Sequence, residues 1–222
     1  MTAAHAARSA LGPEGFAKLS GVSRETLNLL STYVDLLSAW NRRINLVGRN
    51  TIGDVWRRHI LDSAQLYPLI PREARVLVDL GSGAGLPGLV LAILGFPEVH
   101  LIESDGRKAV FLREAIRVTG VRAVVLPTRL DRAKTPPADV VTARALAPLP
   151  DLLAISERFL APSGICLFLK GRGIEDELTE AGKVWRMQPY RQRSLSDPTG
   201  CILRLEAVTR DHSAHPVRSG SD

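Results

Sequence analysis

The sequence predicts an α/β protein: a mostly parallel, doubly wound sheet with an antiparallel hairpin at its C-terminal edge, preceded by a helical appendage. Three observations carry this reading. From Pro71 onward, apolar runs of strand length alternate with helical segments, the pattern of right-handed strand–helix–strand crossovers. The run Asp79-Leu-Gly-Ser-Gly-Ala-Gly-Leu-Pro-Gly88 follows the first such strand and opens a helix. Upstream of Pro68 and Pro71 the apolar residues recur instead at three- and four-residue steps.

Taken in order, residues 1–14 read as a disordered N-terminus. The helical pattern starts at Ser23, and Leu27, Leu30, Val34 and Leu37 share one face. Gly48-Arg-Asn50 breaks it. Thr51-Ile-Gly-Asp54 resembles a capping box with Asp in place of Glu, and is expected to open a second helix through Trp56, His59 and Ile60. Residues 15–70 therefore form the helical appendage, and residues 71–209 the sheet domain. Strands are expected at 75–80, 99–103, 121–126, 139–142 and 164–170, and helices at 88–94, 108–119 and 150–160. Two strands, 190–195 and 201–208, flank Pro198-Thr-Gly200 and predict the hairpin. Residues 210–222 read as a disordered tail.

Composition narrows the class. The chain has 222 residues, 45% hydrophobic and 23% charged, enough for one sizeable core. The net charge of +6 and pI near 9.8 favour a polyanionic partner, with a merely basic surface as the competing reading. Cys166 and Cys201 sit in apolar runs without metal-site or redox spacing and are expected to be buried, reduced thiols. His212 and His215 lie in a Ser-rich polar tail, so no metal site is expected. No apolar run is long enough to span a bilayer and no apolar leader precedes Gly15, so a cytoplasmic protein without a membrane partner is expected.

The glycine run carries the chemistry. Glycines between a strand and a helix let the backbone approach a ligand closely. Glu103 ends the next strand, where a carboxylate accepts hydrogen bonds from two ribose hydroxyls. Gly83, Gly85 and Gly88 fit the dinucleotide pattern, and the same stretch fits the S-adenosylmethionine (SAM) pattern of an acid followed by alternating glycines. Three features favour SAM. Asp79 stands where it can meet the ammonium of a methionine moiety. Pro87 occupies a position where a pyrophosphate clamp wants amides. Gly81, Gly83 and Gly85 at alternate positions make a more open loop than that clamp needs. Topology adds Leu130 and Asp131, at the tip of the third strand, beside the adenine. It also puts Arg144, at the tip of the fourth, where the methyl leaves. Arg144 is the candidate catalytic residue, with a surface ion pair as its competing reading.

Together with Glu103-Ser-Asp-Gly-Arg-Lys108, Ala143-Arg-Ala145 and Leu169-Lys-Gly171, the glycine run resembles the bacterial RsmG (GidB) family. Trp40-Asn41, Asn45-Leu46 and Arg58-His-Ile-Leu-Asp-Ser63 match the helical region of that family, and the likeness spans residues 31–208. The resemblance implies a class I SAM-dependent transferase, Rossmann-like in fold, that methylates guanine N7 in the decoding region of small-subunit (16S) rRNA. It implies SAM contacts at Gly81, Leu86, Leu130, Asp131 and Arg144. The chain departs from the family pattern at Val47, where a Thr is usual.

The chemistry agrees with that implication. Guanine N7 carries an in-plane lone pair and needs no general base, and no acid–base dyad stands out. Neither cysteine follows a proline as a cytosine-C5 nucleophile would, and the fourth strand ends in Ala143-Arg-Ala145 rather than the Asn/Asp-Pro-Pro-aromatic run of exocyclic-amine methylation. RNA contact is expected from Arg42, Arg43, Arg57 and Arg58 beside Asn45 and His59, because a guanidinium fork binds phosphate bidentately. Lys170, at the tip of the fifth strand, is placed to meet phosphate or base. A monomer is expected, acting on small-subunit rRNA or the assembled subunit. The competing readings are an NAD-dependent oxidoreductase and a SAM- or RNA-binding module without turnover.

Overall fold

A proline has no N–H to lose and a fixed φ, so it suits a helix start. Pro13 opens α1 (Pro13–Ser20), whose Phe16 is fully buried. The computed structural model describes residues 10–211. Residues 10–14, expected to be disordered, are instead ordered: the Leu11 amide donates to Asp54 at 3.0 Å and Pro13 and Glu14 begin α1. Residues 1–9 and the tail from residue 212, with His212 and His215, lie outside the described residues.

Ser23 caps α2 (Arg24–Asn41) by accepting from the Thr26 amide. Leu30, Val34 and Leu37 are buried along the predicted stripe, and Tyr33 joins them. The Tyr33 hydroxyl, wholly enclosed, donates to the Ala84 carbonyl at 2.7 Å and so ties α2 to the glycine loop. Asn41 ends the helix by accepting from the Leu46 and Val47 amides. Val47 is buried in the core, which suits the apolar residue found there.

The next segment corrects the capping-box expectation. Thr51 makes no cap. Its hydroxyl donates to the Gly48 carbonyl, and Asp54 instead takes the Leu11 amide and pairs with Arg57. The segment is helical but not α-helical at first: a 3₁₀ turn (Ile52–Asp54), then a π-helix (Trp56–Leu61), then α3 (Asp62–Ala64). A π turn accommodates one residue more than α geometry and is rare outside functional sites.

The sheet has seven strands in the order β3-β2-β1-β4-β5-β7-β6. They are β1 (Val76–Leu80), β2 (Glu98–Ile102), β3 (Ala123–Leu126), β4 (Ala138–Arg144), β5 (Leu160–Lys170), β6 (Trp185–Arg193) and β7 (Cys201–Arg210). The first five are mutually parallel, while β7 runs antiparallel to both β5 and β6. The crossover helices are α4 (Gly88–Ile93), α5 (Gly106–Thr119) and α6 (Leu149–Ser156). A further helix, α7 (Ile174–Ala181), has no counterpart in the sequence reading.

Alternation along the strands divides the core between two faces. Leu77, Leu101, Val140 and Leu167 pack with α4, α5 and the buried residues of the appendage. Val78, Ile102, Val141 and Phe168 pack with α6 and α7. The appendage therefore shares one core with the sheet instead of standing apart from it. Parallel register aligns Leu80 with both Ile102 and Ala143, Ile102 with Leu126, and Arg144 with Leu169. Every loop that follows one of β1–β5 thus opens on the same edge.

That edge depends on close packing behind it. A methyl group on Gly88 would lie 2.7 Å from both Asp79 Cβ and Leu101 Cδ2. We expect Gly88→Ala to destabilise the fold by about 1–3 kcal/mol through overpacking. Urea denaturation measures this, and an unchanged midpoint would show that α4 is not pressed against β1 and β2.

Candidate active site

The glycine loop turns sharply between β1 and α4. Gly85 has φ 88°, and a side chain there would place its Cβ 2.7 Å from Leu89 Cβ. Several of the loop's amides are spent internally. Gly83 N–H donates to Glu103 Oε2 at 2.8 Å, Gly85 and Leu86 N–H to the Ser82 carbonyl, and Leu89 N–H to the Gly85 carbonyl. A pyrophosphate clamp requires such amides to be free. This weighs against the dinucleotide alternative.

The loop borders a cleft of about 600 Å³, within the ~300–1,000 Å³ usual for small-ligand sites. Its fittings match the parts of SAM. Glu103 holds the Gly83 and Asp105 amides, one on each oxygen, and keeps an acceptor lone pair on each for ribose hydroxyls. Ile102, Leu130, Leu146 and Ile155 supply apolar walls that could take a purine, and the exposed Asp131 lines the same cleft. Arg158, not anticipated from the sequence, fixes Leu130 and Asp131 by donating to both of their carbonyls. Gly81, Gly83 and Arg144 line the same cleft.

Other predicted cofactor residues sit behind the cleft. Gly85 and Leu86 are buried and line no part of it. Asp79, expected to face the ammonium, has no exposed surface and lies under the loop, against α4. Its Oδ1 accepts from Thr142 Oγ1 at 2.6 Å. Its Oδ2 has no partner in hydrogen-bond geometry, although Ser82 and the Gly88 amide lower its pKa from nearby. Burial outweighs these contacts and raises the carboxyl to about 6.

A second, polar cavity of about 390 Å³ adjoins the cleft, and the two share Arg144 and Ala145. Arg144 is held through Nη1 alone, which donates to His59 Nδ1 at 3.0 Å and to Asp62 Oδ2 and the Arg58 carbonyl at 3.3 Å. Because Arg144 donates, Nδ1 accepts, and the imidazole proton sits on Nε2. That proton goes to Thr51 Oγ1, which in turn donates to the Gly48 carbonyl. Burial and the Arg144 and Arg58 guanidiniums push His59 down to about 3, so the ring is neutral. Asp62 Oδ1 accepts from Gln65 and, in a short contact, from Ser196. Lys170 Nζ pairs with Glu177 Oε2 at 2.6 Å and donates to the Ala147 carbonyl.

The structure sorts the predicted RNA residues into groups. Arg58, His59 and Lys170 line the second cavity, and Arg58 pairs with Asp197 at 2.9 Å. Arg42 and Arg43 meet Arg107 around a different hollow, beside Trp40, Ile44 and the half-exposed Val110. Asn45 is exposed and lines neither hollow, and Arg57 turns to Asp54. Cys166 is buried as expected, its thiol raised to about 12 by burial, but Cys201 is only partly buried and lines the second cavity. Glu177, Ser194, Ser196 and Asp197 also line it, and the contacts that tie Glu177 to the Leu149 amide and Asp197 to Arg58 span 28 and 139 residues, so no local pattern announces them.

A parallel sheet with this strand order, an antiparallel β7, a pyrophosphate-incompetent glycine loop and a carboxylate at the tip of β2 define a class I SAM-dependent methyltransferase. A solved structure of M. jannaschii TYW2 in complex with AdoMet shares the fold, with a TM-score of 0.54 at 15% identity over 77% of this chain and 80% of that one. The model of rRNA small subunit methyltransferase G matches residues 26–199. Ribosomal RNA small subunit methyltransferase G of Rhodospirillum centenum is 61% identical over 85% of this chain and 87% of its own. The protein of the same name from Paramagnetospirillum magneticum is 57% identical over 90% and 98%. The chain belongs to this family, which is the RsmG (GidB) family of the sequence resemblance.

The two shifted groups act oppositely on stability. Folding raises Asp79 from 3.8 to about 6, so the unfolded chain releases that proton first and stability falls as pH rises from about 4 to 6. Folding lowers His59 from 6.5 to about 3, so stability falls as pH drops below 6.5. Each slope is about 1.4 kcal/mol per pH unit. Asp79→Asn removes the first. Across pH 4–6 the variant should therefore lose stability on acidification more steeply than the parent protein, by about that amount per unit. Urea titrations at several pH values check this, and parallel curves would show that Asp79 titrates as an ordinary carboxylate.

Proposed function

We propose that the chain transfers the methyl group of SAM to N7 of one guanine in the decoding region of small-subunit rRNA. One observation carries the reading: the cofactor cleft opens, at Arg144 and Ala145, into a polar cavity walled by charged side chains. SAM supplies an electrophilic methyl on sulfur, and N7 offers a lone pair with no proton to remove.

What the protein must do is orient and exclude water, which supplies about 7–11 kcal/mol in well-placed systems. Arg144 suits this task, because it lines both cavities and its Nε and Nη2 make no hydrogen bond within the described residues, which leaves their donors available to a ligand. The groups around it are unsuited to taking a proton. His59 has both ring nitrogens committed and Lys170 is locked to Glu177. This matches a nucleophile that needs no base.

In this reading Glu103 and Asp131 hold the ribose and adenine, while residues 15–70 form the RNA-side appendage of a catalytic domain spanning 71–209. Arg42, Arg43 and Asn45 dock the phosphate backbone, helped by the net charge of +6. The protein works as a monomer in the cytoplasm, on rRNA or the assembled subunit. Among the described residues no helix is long and apolar enough to cross a membrane.

The test is transfer of a labelled methyl from SAM to small subunits lacking the modification, followed by N7-specific strand cleavage. Cleavage at a single guanine supports the reading, and label elsewhere or none refutes it. In a second measurement, Arg42→Ala/Arg43→Ala should flatten the plot of log affinity for RNA against log salt by about 2, at ~0.9 per phosphate contact, with SAM affinity unchanged. An unaltered slope would leave these arginines outside the interface.

A further inference from the structure

Guanine presents two opposed edges. N7 and O6 are acceptors on one, while N1–H and the N2 amine are donors on the Watson–Crick edge across the ring system. A base that offers N7 to the cofactor cleft turns its donor edge away from the junction at Arg144 and Ala145. The group that reads that edge must be an acceptor, must line the second cavity and must lie off the junction.

Three carboxylates line the cavity, Asp62, Asp197 and Glu177. Asp62 gives Oδ2 to Arg144 and Oδ1 to Gln65 and Ser196. Asp197 gives Oδ2 to Arg58 and Oδ1 to the amide and hydroxyl of Thr199. Glu177 differs. Its Oε2 takes both Lys170 Nζ and the Leu149 amide, and its Oε1 accepts no hydrogen bond among the described residues. Two anchors on one oxygen hold the carboxylate still while the other stays available, with 26% of the side chain exposed.

We propose that Glu177 is the specificity-determining residue for guanine, its Oε1 accepting from N1–H and the N2 amine of the flipped base. The inference rests on the guanine-N7 reading above. Such a carboxylate also rejects adenine, whose N1 is an acceptor and would face a second acceptor across the contact. Discrimination of this kind is strong because the mismatched base leaves a desolvated polar group unpaired.

The test combines Glu177→Gln with rRNA assembled by ligation, in which the mapped guanine is replaced by inosine, lacking the N2 amine, or by 2-aminopurine, lacking N1–H. The amide oxygen of the variant still serves the Leu149 amide, so SAM affinity measured by calorimetry should be unchanged. On the natural guanine the variant should raise KM by roughly 10- to 100-fold with kcat retained, the value of one charge-assisted hydrogen bond to the substrate. The parent protein should lose a similar factor on at least one analogue, whereas the variant should lose no more than roughly threefold there. Penalties that simply multiply on both analogues would overturn the assignment. Loss of SAM binding in the variant would also overturn it, making Glu177 a clamp on the loop between β4 and α6. A parent protein that labels no guanine N7 would instead overturn the reaction itself, and the assignment with it.

Discussion

The contact between Arg144 and Asp62 is the constraint on which the active edge depends. Arg144 ends β4, Asp62 opens α3, and Asp62 also receives Ser196 from the turn between β6 and β7. Three parts of the chain, separated by 82 and 134 residues, meet at one carboxylate. The pair is mostly shielded, with side chains 22% and 15% exposed. Losing either partner would leave a charge with little solvent to turn to, a far larger penalty than the modest net worth of the intact pair. Its worth to the protein is geometric. It fixes a guanidinium by one nitrogen where the two cavities meet.

A neutral histidine completes that arrangement. The Gly48 carbonyl, Thr51, His59 and Arg144 form a hydrogen-bonded chain, and the direction of donation is set at its charged end. This explains why a histidine in a polar cavity is kept uncharged: a second cation beside Arg144 would have no counter-ion left, Asp62 being fully engaged. His59 and Asp62, three residues apart at the end of the π turn, both reach Arg144.

Much of this could be read in the residues alone, and the division is physical. The alternation of apolar runs revealed the sheet, its crossovers and the C-terminal hairpin, because burial on both faces leaves few alternatives for a parallel strand. The glycine loop, Glu103, Leu130 and Arg144 were legible because chain order in this fold dictates which loops share an edge. What escaped depends on contacts distant in sequence. Phe16 gives α1 its reason to form, yet only against Trp56, with ring centroids 5.5 Å apart. The helix α7 has an unremarkable polar sequence and is tied down by Glu177 reaching the Leu149 amide. Asp79 was placed at the right point of the loop but on the wrong side of it, since strand alternation sends it toward α4 with Leu77.

The two cavities also differ in when the growing chain can make them. The lining of the cofactor cleft is complete once residue 158 has been added, whereas the second cavity needs Ser194, Ser196 and Cys201. A nascent chain, emerging N-terminus first, thus carries the whole cofactor lining before any of the turn that closes the other wall exists. Truncated translation products that stop between these points hold every residue that lines the cleft and lack the last wall of the second cavity. The second cavity is closed last, with the final hairpin.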